Sequence, residues 1–367
     1  MKIEDFHLES YMAKWEFKTP HLLCCSDPES MSQNELLALA DPETLDLWQS
    51  LTLGYTQDRG HPILLDEIAR LYPGLSSQNI LTFAGAEEAI FTAMQTLLQP
   101  DDHVICIIPA YQSLYSVAQS IGCQMTFIAL DAENSWSLDL NAVKNAVTAK
   151  TRMIVINFPH NPTGALITRP ELDTLIEIAR EANAYLFSDE VFRYLEADEK
   201  DRLPAAATLY EKAVSTHALS KSFGMPGLRI GWMVSQDEIA LQRMRKFKHY
   251  LSICNSSASE ILGIIALRSR EQIQGRINSI LRINREHMER FFAKHSNRFS
   301  YIPAKGGTMV FPSLLEKEGI DVFARGLIEQ GVLILPASVF SMPGNHFRLG
   351  FGRANFRDNL MRLVPNF

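Results

Sequence analysis

From Asn79 onward the chain alternates short apolar runs with stretches in which apolar residues recur every three or four positions. ILTFAG leads into EEAIFTAMQTLLQ, HVICIIP into YQSLYSVAQSIG, and QMTFIAL into DLNAVKNAV; RMIVINFP, PELDTLIEIAREAN and AYLFSDEVF continue the series. The short runs predict buried strands, and the helical period predicts helices between them. Strands separated by helices predict an α/β fold, with a largely parallel sheet covered by helices on both faces. KAVSTHALS and GLRIGWMVS read as two further strands. Polar residues at the carboxyl ends of such strands point into one crevice.

The flanks have a different texture. The segment up to about Trp48 reads as an arm with one helix, in which Ser32 caps and Glu35, three residues on, completes a capping box. GYTQDRGHPILLDEIARLYPGL reads as a glycine-punctuated loop entering an amphipathic helix that Pro73 and Gly74 end. EIALQRMRKFKHYL opens a helical region in which one long, little-punctuated helix between Ser256 and His295 bridges to a smaller domain. That domain holds FSYIPAKGGTMVFP, the helix DVFARGLIEQG, the strand VLILPA, HFRLGFG and a last short helix. The expected division is an N-terminal arm over 1–48 that is part of the small domain, a large cofactor-binding domain over 49–255, and a bridging helix with the C-terminal small domain over 256–367.

Composition narrows the classes. With 367 residues, 46% of them hydrophobic, and a net charge of −7, the chain is expected to be soluble, globular and built from about two domains. It has no run of about 18 apolar residues, and the charges in MKIEDFHLESYMAKWEF leave no apolar core for a signal peptide, so a cytoplasmic location is expected, with no membrane partner. The five cysteines (24, 25, 106, 123 and 254) are odd in number and form no CxxC pair, which predicts reduced thiols and no metal site. The acidic balance argues against nucleic acid, and the basic run from Arg243 to His249 reads as a helix face.

Candidate chemistry centres on STHALSKSFGMPGLRIGW, where Lys221 follows Ser220 and precedes Arg229 by eight positions across a turn with Gly224, Pro226 and Gly227. A positioned amine forms an imine with an aldehyde, as a lysine does with pyridoxal phosphate. A hydroxyl and a guanidinium fork suit that cofactor's phosphate. Alone, the segment reads more readily as a solvated loop. In FAGAEEAI, Gly85 ends a strand and Ala86 and Glu87 open a helix, so free N–H groups and the helix dipole make an anion site. In IPAYQSLY, Tyr111 follows a strand and Pro109, from which its ring could stack on a pyridine or fill the core. In NFPHNPTG, Asn157 and Asn161 flank a tight turn enforced by Pro162 and Gly164, and Asn161 offers an amide donor to a phenolate oxygen. Asp189 ends an apolar strand, where a carboxylate needs a cation such as a protonated pyridine nitrogen opposite it.

The ordered set GAEEA, PAY, NPTG, SDEV, SK and GLRIG, spread between about Tyr55 and Gly352, resembles the fold-type I pyridoxal-phosphate-dependent aminotransferases of class I and II. The resemblance implies a large domain with a mostly parallel, seven-stranded sheet and helices on both faces, plus a small α+β domain. It implies that Lys221 forms the internal aldimine and shuttles the substrate proton, while Asp189 keeps the pyridine nitrogen protonated. Asn161 would bond the cofactor's 3′-oxygen and Tyr111 would stack on its ring. The phosphate would be held by the N–H groups of Ala86 and Glu87, by Ser220 and by Arg229. Tyr55, spaced from Gly60 as in the family's YxxxxG, would reach the phosphate of a neighbouring subunit, which implies a homodimer. Arg348 in HFRLGFG, with Asn161 beside it, would grip the substrate α-carboxylate.

The implied activity is transfer of an amino group between an α-amino acid and a 2-keto acid. Three departures from the family pattern stand out: Phe192 where most relatives place a tyrosine, Ala218 where many carry a hydroxyl, and the arm sequence Ser26-Asp27-Pro28-Glu29-Ser30 in place of a glycine-containing loop. Tyr194 lies close in sequence to the first. Asp27 or Glu29 near the substrate would select a basic side chain. Phe192 and the arm motivate a second reading, a lyase, β-replacement or cyclising enzyme on the same scaffold, resembling capreomycidine synthase. A DNA-binding regulator built on the same scaffold is disfavoured, because no basic recognition element is visible.

Overall fold

The apolar runs become the strands of one seven-stranded sheet in the computed structural model, which describes residues 3–364; positions 1–2 and 365–367 of the expected arm and small domain lie outside the described residues. The chain begins with α1 (His7–Trp15), β1 (His21–Leu22), α2 (Gln33–Leu37), α3 (Pro42–Gln49) and α4 (Pro62–Ala69). The alternating region follows: β2 (Ile80–Phe83), α5 (Ala86–Leu97), β3 (His103–Ile108), α6 (Ser113–Ile121), β4 (Gln124–Ala129), α7 (Leu140–Ala146), β5 (Thr151–Asn157), α8 (Arg169–Glu181), β6 (Tyr185–Asp189), β7 (Ala213–Ala218) and β8 (Gly231–Ser235). The remainder contains α9 (Glu238–Lys248), α10 (Ser257–Arg268), α11 (Arg270–Lys294), β9 (Phe299–Ser300), β10 (Met309–Val310), β11 (Ser313–Leu314), α12 (Ile320–Glu329), β12 (Val332–Leu333), β13 (Leu335–Pro336), β14 (Phe347–Gly350) and α13 (Phe356–Leu360).

The sheet order is β2-β8-β7-β6-β5-β3-β4, and β3 pairs in parallel with β4 and β5, β5 with β6, and β6 with β7. Only β8 runs against its neighbours β7 and β2. The short Leu219–Ile230 connection contains no crossover helix, and a parallel return needs one. The carboxyl ends of β2, β3, β5, β6 and β7 therefore share one edge with the start of β8. Both sheet faces are buried, and alternate residues sort between them. Ile105, Ile107, Ile154, Ile156 and Leu186 join one apolar cluster, while Val104, Cys106, Met153, Val155 and Phe187 join another.

The arm has three helices where one is expected. The expected capping box is present: the Ser32 hydroxyl accepts from the Glu35 N–H at 3.2 Å, and the Glu35 carboxylate accepts from the Ser32 N–H at 2.6 Å. α3 starts at Asp41, which accepts from the Thr44 N–H at 2.8 Å, with Pro42 in the first turn. α1 has no side-chain cap and buries only Leu8 and Met12, so packing makes it a helix where periodicity is faint. The long helix expected after Ser256 is broken at Ser269, without Gly or Pro. Arg268 is pulled to Asp41, Glu43 and Glu67, and the Ser269 hydroxyl donates to the Leu39 carbonyl at 3.3 Å.

The segment after β1 is strapped across the C-terminal region. β1 pairs in parallel with β12, the Gly350 N–H donates to the Leu23 carbonyl at 2.7 Å, and the Glu29 N–H donates to Gly352 at 2.8 Å. A Cβ on Gly350 would fall 1.6 Å from the Cys25 carbonyl oxygen, so only glycine permits this crossing. The strap ends over the carboxyl edge of the sheet.

Candidate active site

A cavity of about 250 Å³ opens at that edge. Its floor comes from strand ends. Lys221 lies just beyond β7, and its Nζ donates to the Ser26 hydroxyl of the strap at 2.8 Å. Burial pushes the amine's pKa down, with Arg348 adding to the effect and Asp27 opposing it, so more of the nucleophilic free base is present near neutral pH. The Phe192 ring lies 5.9 Å from Nζ and contributes no donor to the cavity.

Asp189 ends β6. It is 5% exposed, one carboxylate oxygen accepts the Val191 N–H at 3.2 Å, and among the described residues no cation bonds it. Burial, with Glu190 and Glu87 adding to it, raises its pKa to about 7. Asn157, in register with Asp189 on β5, donates to the Asp189 carbonyl at 2.9 Å and accepts the Asn161 N–H at 2.9 Å. One side chain thus fixes both neighbours. Asn161 uses its carbonyl oxygen on Arg348 Nη1 at 3.1 Å, which orients the amide away from that contact. Arg348, on β14 and 3% exposed, also donates through Nε and Nη2 to the Cys24 carbonyl at 3.1 and 2.8 Å.

At the other end α5 begins, and Ala86 and Glu87 line the cavity with Ser220 and Arg229. Gly85 caps the helix with φ 95° and no side chain, leaving the first-turn N–H groups to a ligand. Arg229, at φ 52°, donates to the Ala84 and Pro226 carbonyls at 3.3 and 3.1 Å. The approach is close. A Cβ on Gly85 would lie 2.4 Å from Arg229 Nη2, and one on Gly231 would lie 2.6 Å from the Gly85 carbonyl carbon. Burial raises the Glu87 carboxyl to about 7, although the Ser113 hydroxyl donates to it at 2.9 Å.

Tyr111 lines the side wall, its ring 4.8 Å from that of Phe6 and its hydroxyl donating to Glu9 at 2.7 Å. The cavity therefore gathers Lys221, Asp189, Asn161, Tyr111, Ala86, Glu87, Ser220, Arg229 and Arg348. Tyr55 does not line it and is 90% exposed. Tyr194 does not substitute at the position of Phe192: its hydroxyl accepts from Arg193 at 2.6 Å and its ring packs on His217. Of the two arm carboxylates, Asp27 lines the cavity, whereas Glu29 accepts the Ala354 N–H at 2.9 Å and is turned away.

Leu8, Glu9, Met12 and Glu16, which no sequence motif singles out, form the cavity's outer wall. Positions 9, 12 and 16 share one helix face, the signal that could have grouped them.

A buried carboxylate lacking a cation, a depressed lysine amine and an anion-binding helix start within one cavity define a site for a phosphorylated pyridine aldehyde, and the donor set fits pyridoxal phosphate. Residues 22–363 match the model of the family "Aminotransferase class I and II", and the chain belongs to that family, with pyridoxal phosphate as its cofactor. It is 28% identical over 351 residues to capreomycidine synthase from Streptomyces vinaceus, covering 94% of this chain and 88% of that one. It is 28% identical to an aspartate aminotransferase from Pyrococcus horikoshii, covering 84% and 80% of the two chains. A solved pyridoxal-phosphate-dependent aminotransferase from Streptococcus suis superposes with a TM-score of 0.92 at 30% identity, covering 99% of this chain and 96% of that one.

The Asp189 shift has a consequence for the cofactor-free protein. Folding lifts this carboxyl from its ordinary value to about 7, so the folded state holds a proton that the unfolded state releases, and stability falls as pH rises from about 4 through 7. Asp189→Asn removes this contribution. Urea midpoints of the two apoproteins are expected to diverge in favour of the variant between about pH 5 and 8; parallel curves would show that Asp189 is ionised without penalty.

Proposed function

We propose that this cavity performs transamination, moving an amino group from an α-amino acid to a 2-keto acid. The observation that carries the reading is the cation-free Asp189 carboxylate in one cavity with Lys221 and the buried Arg348. Asp189 would pair with the pyridine nitrogen, Asn161 would donate to the 3′-oxygen, and Tyr111 would cover the ring. Ala86, Glu87, Ser220 and Arg229 would hold the phosphate, and Lys221 would carry the aldehyde carbon. When bound, the cofactor supplies the sink for the electron pair left as the α-proton departs.

The chain's own groups do the rest. Arg348 takes the substrate carboxylate with the guanidinium N–H groups left over from Cys24 and Asn161, which sets the α-carbon beside Lys221. Lys221 is neutral more often than an exposed lysine, so it can accept the α-proton and return it. Ser26 holds its Nζ toward the strap.

Residues 49–255 form the cofactor-binding domain in this reading, with 1–48 and 256–367 closing over it. The chain acts as a cytoplasmic homodimer, in which Tyr55 completes the partner's phosphate site. Exposed Leu53, Tyr55 and Tyr250, at 91%, 90% and 88%, support that surface as the subunit contact. Sedimentation at twice the 41.4 kDa chain mass is expected, and a monomer would remove Tyr55 from the site.

The second reading, elimination, replacement or cyclisation, is favoured by two observations. Phe192 lines the cavity where a hydroxyl would otherwise meet the 3′-oxygen, and capreomycidine synthase is among the relatives. Incubation of the holoenzyme with single amino acids separates the two. Transamination yields a 2-keto acid and the aminated cofactor in equal amounts; ammonia or pyruvate with no aminated cofactor would sink it. Arg348→Ala is expected to raise KM for α-amino acids by roughly 30-fold or more, with a smaller change in kcat, because a charge-assisted clamp is lost. An unchanged KM in half-reaction kinetics would place the carboxylate elsewhere.

A further inference from the structure

With Arg348 and Lys221 marking where a carboxylate and an amino group go, the substrate's side chain is left to the outer wall. That wall belongs to the N-terminal arm. Leu8 and Met12 are buried apolar flanks, and Glu9, Glu16 and Asp27 carry the charge. The cavity is a built site, since it also holds the buried Arg348 guanidinium and the buried, cation-free Asp189 carboxylate.

The carboxylates of the wall are unequally satisfied. Asp27 receives Arg353 Nη2 at 2.9 Å, and Lys221 and Arg353 outweigh its burial and hold its carboxyl below the ordinary range. Glu9 accepts from the neutral Tyr111 hydroxyl. Glu16, among the described residues, is met only by the Cys25 thiol, at 3.9 Å. Burial first, then Asp27 and Glu9, push the Glu16 carboxyl up, and Arg353 and Lys221 offset them only in part. Arg353 ion-pairs with Asp27, which leaves Glu9 and Glu16 with no ion-pair partner among the described residues. Two cations facing the cavity have other tasks in the transamination reading, Arg348 toward the substrate α-carboxylate and Lys221 toward the cofactor, and neither forms an ion pair with Glu9 or Glu16.

We propose that Glu16, seconded by Glu9 and Asp27, selects an α-amino acid whose side chain ends in a cation, its methylenes lying along Leu8 and Met12. A guanidinium or ammonium meets charge-assisted acceptors there, and an acidic side chain meets repulsion. The inference rests on reading the cavity as an amino-acid site, and it separates this chain from relatives named for aspartate.

The test compares arginine, its neutral isostere citrulline, and aspartate on the wild-type holoenzyme and on Glu16→Gln. Half-reaction kcat/KM is expected to favour arginine over citrulline by at least about tenfold, and Glu16→Gln is expected to cut that ratio below about threefold. Its thermal midpoint checks folding. Equal values for arginine and citrulline, or a preference for aspartate, would overturn the proposal while leaving transamination standing. Dissociation constants measured by absorbance on the cofactor-loaded Lys221→Ala variant provide a readout free of turnover. Tighter arginine than citrulline binding there, with no keto acid from the wild type, would retain the side-chain assignment and discard transamination.

Discussion

A carboxylate buried at a strand end without a cation is the constraint around which this structure is arranged. Asp189 costs stability as a buried anion and becomes useful only when a positive group sits opposite it. Its position is fixed by parallel register, which sets Asn157, Asp189 and Thr216 side by side on β5, β6 and β7. Asn157 then ties the Asp189 backbone to that of Asn161, so the two groups expected to contact the pyridine ring move as one unit. A phosphate-binding helix start and a lysine arrive at the same edge because β2 and β7 end there.

The second dependency is the strap. It supplies the Cys24 carbonyl that holds Arg348, the Ser26 hydroxyl that receives Lys221, and the Asp27 carboxylate, which pairs with Arg353. The Thr308 hydroxyl donates to the Ser26 carbonyl at 2.6 Å, and Gly350 lets the two backbones cross. Substrate-facing groups from both ends of the chain are therefore held by one short segment. Displacing it would alter the carboxylate clamp and the lysine environment together.

Much of the fold was legible because both faces of the central strands are buried, which makes most of them apolar and the helices periodic by contrast. GLRIGWMVS reads as a strand, yet Pro226–Leu228 forms a turn and Arg229 adopts a left-handed conformation, so β8 starts only at Gly231. The break at Ser269 was not legible, since Arg268 and its three carboxylate partners create it through space. Strand-end polar residues such as Asn161 and Asp189 were visible as positions where burial is costly. Of the arm, Asp27 was visible as a departure from the family pattern; Glu9 and Glu16 share a helix face, but no local pattern tells that this face reaches the cavity, since the arm is held there by long-range pairing such as that of His21 with Val332.

Lys221 is the group on which both cofactor attachment and proton movement depend. Lys221→Ala, loaded with pyridoxal phosphate, measures this most directly. The predicted result is loss of the visible absorbance of the lysine-bound cofactor, together with loss of turnover at unchanged folding. Retained absorbance with retained turnover would contradict the account and place the nucleophile elsewhere in the chain.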